Sequence, residues 1–204
     1  MSMNLLKVVF AILAIAVLGY AAGTMSERPK PPVVVSHGTA EIGGPFELVD
    51  TSGAAVTDQS LFGRFSLIYF GYTNCPDVCP LDMNRISMAL EIIEADEGGL
   101  ENLQPVFISI DPARDTPEVV GAFLDRYHPS FIGLTGTPAQ MDVAARAYKV
   151  AYEDILAADG QPLINHSSHI YLMDETGKYI THFGPELTPA MLAEKVSNSM
   201  DNTP

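Results

Sequence analysis

The chain has 204 residues, with 25 acidic against 11 basic and a formal net charge of −14. After residue 30 the balance steepens to 24 acidic and 8 basic, so that part carries −16. Such a surface excludes a nucleic-acid partner, which needs basic patches, and the length beyond about residue 34 suits one domain with its own core.

Residues 1–25 open with a basic start (the amino terminus and Lys7), and Val8 to Ala22 then runs without a charge. Fifteen residues fall short of the ~20 that span a bilayer, but Leu5, Leu6 and a snorkelling Lys7 extend the stretch. A cleaved signal peptide ending near Gly19-Tyr20-Ala21 fits the same length. No cysteine follows the apolar run, which argues against lipoprotein processing. The reading adopted is an uncleaved anchor in a bacterial inner membrane, with the rest of the chain in the oxidising periplasm. Residues 26–36, rich in proline, read as an extended linker.

Beyond the linker, segments 46–49 and 54–57, joined by Thr51-Ser52-Gly53, predict a hairpin. The continuous apolar run 65–72 predicts a buried strand. Leu81, Ile86, Leu90 and Ile93 recur at near-helical spacing, predicting a helix over 80–94. Strands are expected at 106–110 and 131–134. Thr116-Pro117, Thr137-Pro138 and Thr188-Pro189 each place an N-cap threonine before a proline at the first helical position. Their helices are expected over 118–127, 139–148 and 190–199. A last hairpin joins 170–173 to 179–183 through Asp174-Glu175-Thr176-Gly177. Alternating strands and helices, then a hairpin and a closing helix, predict an α/β fold with a mixed sheet.

Cys75-Pro76-Asp77-Val78-Cys79-Pro80 holds both cysteines of the chain, at a strand-to-helix junction where reactive groups gather. A cysteine pair there makes a thioredoxin-like fold the natural expectation, with the N-terminal hairpin added to a sheet flanked by helices over 37–204. Proline at position 80 predicts the first helical residue, with Cys79 near the N-cap, so the positive helix end favours thiolate. Asp77 reads as a turn former that opposes thiolate slightly. A structural disulfide is the plain alternative, but a loop this short contributes only about 2 kcal/mol. Three residues separate the cysteines, one more than in the dithiol oxidoreductase motif, which suits two sulfurs converging on a metal. Soft thiolates select Cu(I), and an added imidazole lets the site hold Cu(II); zinc would more often recruit four ligands.

Five histidines are available for the third position. His37 falls at the linker and reads as solvated, His128 as the cap of a helix end, and His182 as an ordinary strand residue. His166 and His169, in a loop before a strand, stand equal as candidates by position.

Three blocks of residues bring a family into view: 71–80 (Gly-Tyr-Thr-Asn-Cys-Pro-Asp-Val-Cys-Pro), 111–117 (Asp-Pro-Ala-Arg-Asp-Thr-Pro) and 166–172 (His-Ser-Ser-His-Ile-Tyr-Leu). In that order they resemble the Sco/SenC family, membrane-tethered copper proteins of thioredoxin fold that assist cytochrome c oxidase assembly. The resemblance implies copper ligands at Cys75, Cys79 and His166, the histidine five residues before Tyr171. It leaves His169 a bystander. Asn165 stands where family members commonly carry aspartate. Asp111, Arg114 and Asp115 are expected either to orient the site or meet a partner, or to be ordinary helix-start and surface groups. The resemblance also implies delivery of copper to the dinuclear site of oxidase subunit II, with a copper donor and a thiol reductant as further partners. The rival expectation is a thiol-disulfide reductase using Cys75 and Cys79 without metal. A peroxidase site is disfavoured, because Ile68 and Tyr72 stand where its proline and threonine belong.

Overall fold

The computed structural model describes residues 41–156 and 162–203. The anchor and linker expected at 1–36, and His37, lie outside the described residues. Within them, no helix is long and apolar enough to cross a membrane.

Among the described residues, nine strands and four α-helices follow in chain order. They are β1 (Glu47–Asp50), β2 (Ala55–Thr57), β3 (Phe65–Gly71), α1 (Val78–Glu97), β4 (Leu103–Ser109), α2 (Pro117–Leu124), β5 (Ile132–Thr135), α3 (Pro138–Ala147), β6 (Tyr152–Leu156), β7 (Pro162–His166), β8 (Ile170–Met173), β9 (Tyr179–Phe183) and α4 (Pro189–Asp201). A short 3₁₀ turn, Asp58–Leu61, follows β2. Seven strands form one mixed sheet in the order β2-β1-β5-β4-β3-β8-β9, and β6 and β7 form a separate ribbon. β3, β4 and β5 run parallel, while β8 and β1 pair antiparallel at either side. The fold is thioredoxin-like, with the β1–β2 hairpin as an N-terminal addition.

Both main-sheet hairpins turn on the same chemistry. In Asp50-Thr51-Ser52-Gly53 the carboxylate accepts from the Ser52 N–H, the Ser52 hydroxyl and the Ala54 N–H. In Asp174-Glu175-Thr176-Gly177 it accepts from the Thr176 N–H, the Thr176 hydroxyl and the Lys178 N–H. These are Asx turns, in which a short acidic side chain imitates a turn of backbone. The three threonine caps also form as expected: Thr116, Thr137 and Thr188 accept from the N–H groups of Val119, Gln140 and Met191. Such caps are worth about 1 kcal/mol each.

Side chains alternate across the sheet and divide the core in two. On one face Tyr69 packs on Phe107, and Phe107 on Phe123 of α2. Tyr69 also donates to Asp82 of α1, and α4 packs against α1. On the other face Phe70 meets Tyr148, at the end of α3, and Tyr171. Tyr69, Phe70 and Phe107 are fully buried, so truncating any one to alanine costs about 3–5 kcal/mol. The strand carrying the cysteine turn is therefore held rigidly from both sides.

Three expectations need correction. α1 begins at Val78, so Pro80 is its third residue rather than its first, and Cys79 lies inside the first turn with Asp77 at the N-cap. That costs no hydrogen bond, because the first-turn N–H groups have no intrahelical partner. Second, residues 165–169 are not all loop. His166 ends β7, in a ribbon whose strands pair from Tyr152–His166 to Leu156–Pro162. His128 is no helix cap either: α2 stops at Leu124. His128 is buried, its N–H donates to Ser87 of α1, and its ring bonds Ser130 and Glu94.

Candidate metal centre

The site is built on the end of β3. Gly71 leaves room for it: a Cβ there would lie 3.3 Å from Cys79 Sγ and closer still to the Tyr69 and Phe107 rings. The chain then turns, with the Cys75 N–H donating to the Tyr72 carbonyl, and enters α1. Cys79 is fully buried and Cys75 half-buried, and both are free thiols. The Cys79 N–H donates to Cys75 Sγ at 3.4 Å, and the Asp77 N–H also donates to that sulfur. The Cys75 sulfur thus serves first-turn N–H groups that a side-chain cap would otherwise satisfy.

These contacts divide the pair. The Cys75 thiol is held far below its ordinary range chiefly by the hydrogen bond from Cys79, against the opposing effect of burial. Cys79 is pushed up by its bond to Cys75 and by burial. These contacts favour the thiolate on Cys75 and the proton on Cys79. Asp77, expected to oppose thiolate, instead supports it through its backbone.

His166 arrives from the β6–β7 ribbon. Its Nε2 lies 3.4 Å from Cys79 Sγ, and its Nδ1 lies 3.1 Å from the Ser167 carbonyl. A carbonyl only accepts, so Nδ1 carries the proton and Nε2 presents its lone pair to the thiols. The ring stands edge-on to Tyr69 and Tyr72. Two sulfurs and one imidazole nitrogen, distant in sequence, meet at the rim of the sheet.

The donors bond to one another, and among the described residues no group of three or more His, Cys, Asp or Glu is already placed to hold a metal ion. The spacing still suits a metal. Ligand distances of about 2.3 Å for sulfur and 2.0–2.1 Å for nitrogen place a 3.4 Å sulfur–nitrogen pair at roughly 100° around a shared ion. The ion would replace the protons that now join the donors.

Residues whose role the sequence left undecided hold this arrangement. Asp115 is buried and accepts from the Thr73 N–H at 2.9 Å, the Thr73 hydroxyl at 2.6 Å and the Ser109 hydroxyl at 2.5 Å. It fastens the cysteine turn to the end of β4. Arg114 pairs with Asp111, donates to the Pro162 carbonyl at 3.1 Å and lies over the Tyr72 ring. The Tyr72 hydroxyl accepts from the Ile164 N–H. The 111–117 block therefore clamps the ribbon that carries His166, and only Thr116 is an ordinary cap. The Asp159-Gly160 dipeptide was the available signal for the ribbon, since Asp-Gly between strand-like runs marks a hairpin. His169 and His182 are not brought to the thiols; their rings pack against each other.

Comparison with known proteins is consistent with this geometry. The SCO1/SenC family model matches residues 34–201. This chain belongs to the SCO1/SenC family. Protein SenC of Rhodobacter capsulatus is 44% identical over 163 residues, covering 80% of this chain and 72% of that protein. The fold matches Arabidopsis thaliana ScoI solved with copper bound, at TM-score 0.75 and 35% identity, over 79% of this chain and 99% of that one. Bradyrhizobium japonicum ScoI with copper bound matches at TM-score 0.69 and 39% identity, over 78% and 99%.

Proposed function

We propose that this SCO1/SenC protein binds copper through Cys75, Cys79 and His166 and delivers it to the dinuclear copper site of cytochrome c oxidase subunit II. The observation that carries the reading is the approach of the His166 Nε2 lone pair to within 3.4 Å of Cys79 Sγ, while Nδ1 is occupied by a carbonyl. The copper-bound ScoI neighbours support the choice of metal. Thiolates favour Cu(I), and the imidazole extends the site to Cu(II). Val78 and Leu81, apolar and exposed beside the thiols, offer a surface on which a protein acceptor can seat. Copper is cargo here, so the chain acts as a metallochaperone rather than a turnover enzyme. Residues 1–25 anchor it in a bacterial inner membrane with its domain in the periplasm. There a copper donor loads the site, and a dithiol reductant reverses its oxidation. In that oxidation the two thiols form a Cys75–Cys79 disulfide and pass two electrons and two protons to a partner disulfide. The product cannot offer two thiolates to copper, so the same pair gates loading.

The depressed Cys75 thiol favours a second reading, thiol-disulfide reduction. Its thiolate would attack a partner disulfide and expel one partner thiol. Cys79, once deprotonated, would then displace the second, leaving Cys75–Cys79 oxidised and the partner a dithiol. Metal analysis of the reduced full-length chain separates the readings, with Cys75→Ala, Cys79→Ala and His166→Ala proteins in parallel. Retention of about one copper by the wild type, lost in all three variants, is expected. A wild type that takes no copper yet reduces disulfides briskly moves the assignment to the reductase. Equal retention by wild type and His166→Ala removes that residue from the site.

A further inference from the structure

A second pair of metal-ligating side chains stands apart from the thiols. His169 immediately precedes β8 and His182 lies in β9, where Tyr171 pairs with His182 and Ile170 with Phe183. The two histidines are thus diagonal neighbours on one face of an antiparallel pair, a spacing within reach of long side chains. Their ring centroids are 4.8 Å apart and their planes cross at 77°. An imidazole nitrogen sits about 2.0–2.1 Å from a first-row ion, so two rings sharing one at a near-tetrahedral angle have centroids about 5 Å apart.

We propose that His169 and His182 form a second site, for a borderline divalent ion, with Cu(II) preferred over Zn(II) and water completing the coordination. The surroundings support it. The His182 Nδ1 and the Tyr179 hydroxyl are 2.5 Å apart. An ion on Nε2 leaves the proton on Nδ1, which then donates to the phenol oxygen and fixes the ring, as the outer partners of metal-bound histidines do. Burial and the neighbouring His182 lower the pKa of His169, with Glu186 opposing, so its lone pair is free at neutral pH. Glu186 also places a negative charge beside the incoming cation. His182 and Glu186 line an open groove of about 600 Å³ between β9 and α4, which gives water access to the ion.

The test uses the full chain carrying Cys75→Ser, Cys79→Ser and His166→Ala, so that its outcome does not depend on the thiol site. Titration with Cu(II) alone, followed by calorimetry and by electron paramagnetic resonance, should show about one bound ion with the nitrogen pattern of two imidazoles. Adding His169→Ala or His182→Ala should weaken binding by at least tenfold and remove one nitrogen. Tyr179→Phe should weaken it roughly tenfold with stoichiometry unchanged, and His37→Ala should leave it intact. Unchanged affinity and nitrogen pattern in the His169 and His182 variants, or binding that follows His37 instead, overturns the proposal, as does a parent that takes up no Cu(II).

Discussion

The cysteine turn and the β6–β7 ribbon supply the same site by opposite means. The turn grows out of β3, a strand hydrogen-bonded to β4 and β8 and packed on both faces. Its two sulfurs need only five residues of chain to face each other. The ribbon's strands pair only with each other among the described residues, and its histidine reaches the thiols through four outside holds: Arg114 to Pro162, Tyr72 to Ile164, Tyr152 to Asp142 of α3, and the ring edges against Tyr69 and Tyr72. Thiol geometry is therefore a property of the core, and imidazole geometry a property of a clamp. Under the proposed delivery role, which requires release of the ion, that division is an advantage. The ligand on the loosely attached element can withdraw without disturbing the sheet.

The largest effects come from the proposed ligands themselves. Cys75→Ser, Cys79→Ser and His166→Ala should each weaken copper binding by more than about 100-fold, since even residues that only support a ligand are worth about 10–100-fold. Competition with a Cu(I) chelator checks this, and a His166 variant near wild-type affinity would break the shared site. The comparison also separates the three by stability. His166→Ala should leave the melting temperature of the apo chain nearly unchanged, whereas replacing the fully buried Cys79 should lower it.

Asp115→Ala comes next, and it strikes the turn rather than the ribbon. Removing the carboxylate leaves the Thr73 amide and two hydroxyls without their acceptor at a buried position. The cost should be about 3 kcal/mol, a fall of about 6–12 °C in melting temperature for a domain of this size. Copper binding should weaken in parallel, because Thr73 leads directly into Cys75. A melting temperature within a degree or two of wild type would show that the turn holds itself.

The same contrast explains what the sequence revealed. The turn was legible because its residues are contiguous: an apolar strand, two cysteines and two prolines state the geometry locally. The misplaced helix start is a matter of two residues, since proline is tolerated throughout the first turn and marks it without fixing its first residue. Threonine caps and Asx hairpins were readable for the same local reason. The ribbon was not. Its strands are half exposed, so they lack the apolar continuity that announced β3 and β4, and His166 gained its role only from family resemblance. Arg114 and Asp115 were left undecided because their partners lie about 40–50 residues away, a distance over which periodicity carries no information.

Arg114→Ala sharpens the clamp idea at intermediate scale. It removes the bond to the Pro162 carbonyl and the cover on Tyr72, and leaves Asp111 buried without its cation. A fully buried pair broken in this way costs about 3–5 kcal/mol. Arg114 is about one-third exposed, so a smaller loss is expected. Copper affinity should fall about tenfold through the position of His166. Arg114→Lys should restore charge for Asp111 but not the guanidinium reach to Pro162, giving near-normal stability with affinity still reduced. Full recovery of affinity by lysine would mean that charge, not the clamp, matters.

The smallest effect belongs to a hairpin remote from the thiols. Asp50 has a lowered pKa, chiefly from the Ser52 hydroxyl and then from backbone N–H groups. A carboxyl whose folded pKa lies below its unfolded value, about 3.9, contributes stability that is fully present above that value. The contribution is lost as pH falls through the folded pKa. Asp50→Asn should therefore lower the melting temperature by only about 1–2 °C at pH 7, because the carboxylate is exposed and screened. The difference from wild type should shrink to nothing as the pH falls through the folded pKa. At Asp174 burial is the largest single influence and opposes the ionised form, and the bonds from Thr176 and Lys178 together outweigh it to lower the pKa. Asp174→Asn should follow the same course. Copper affinity at pH 7 should be untouched in both, because each turn reports on the edge of the sheet and neither touches the ribbon. A copper defect in either variant would mean that the site is coupled to the whole sheet rather than to the two elements that build it.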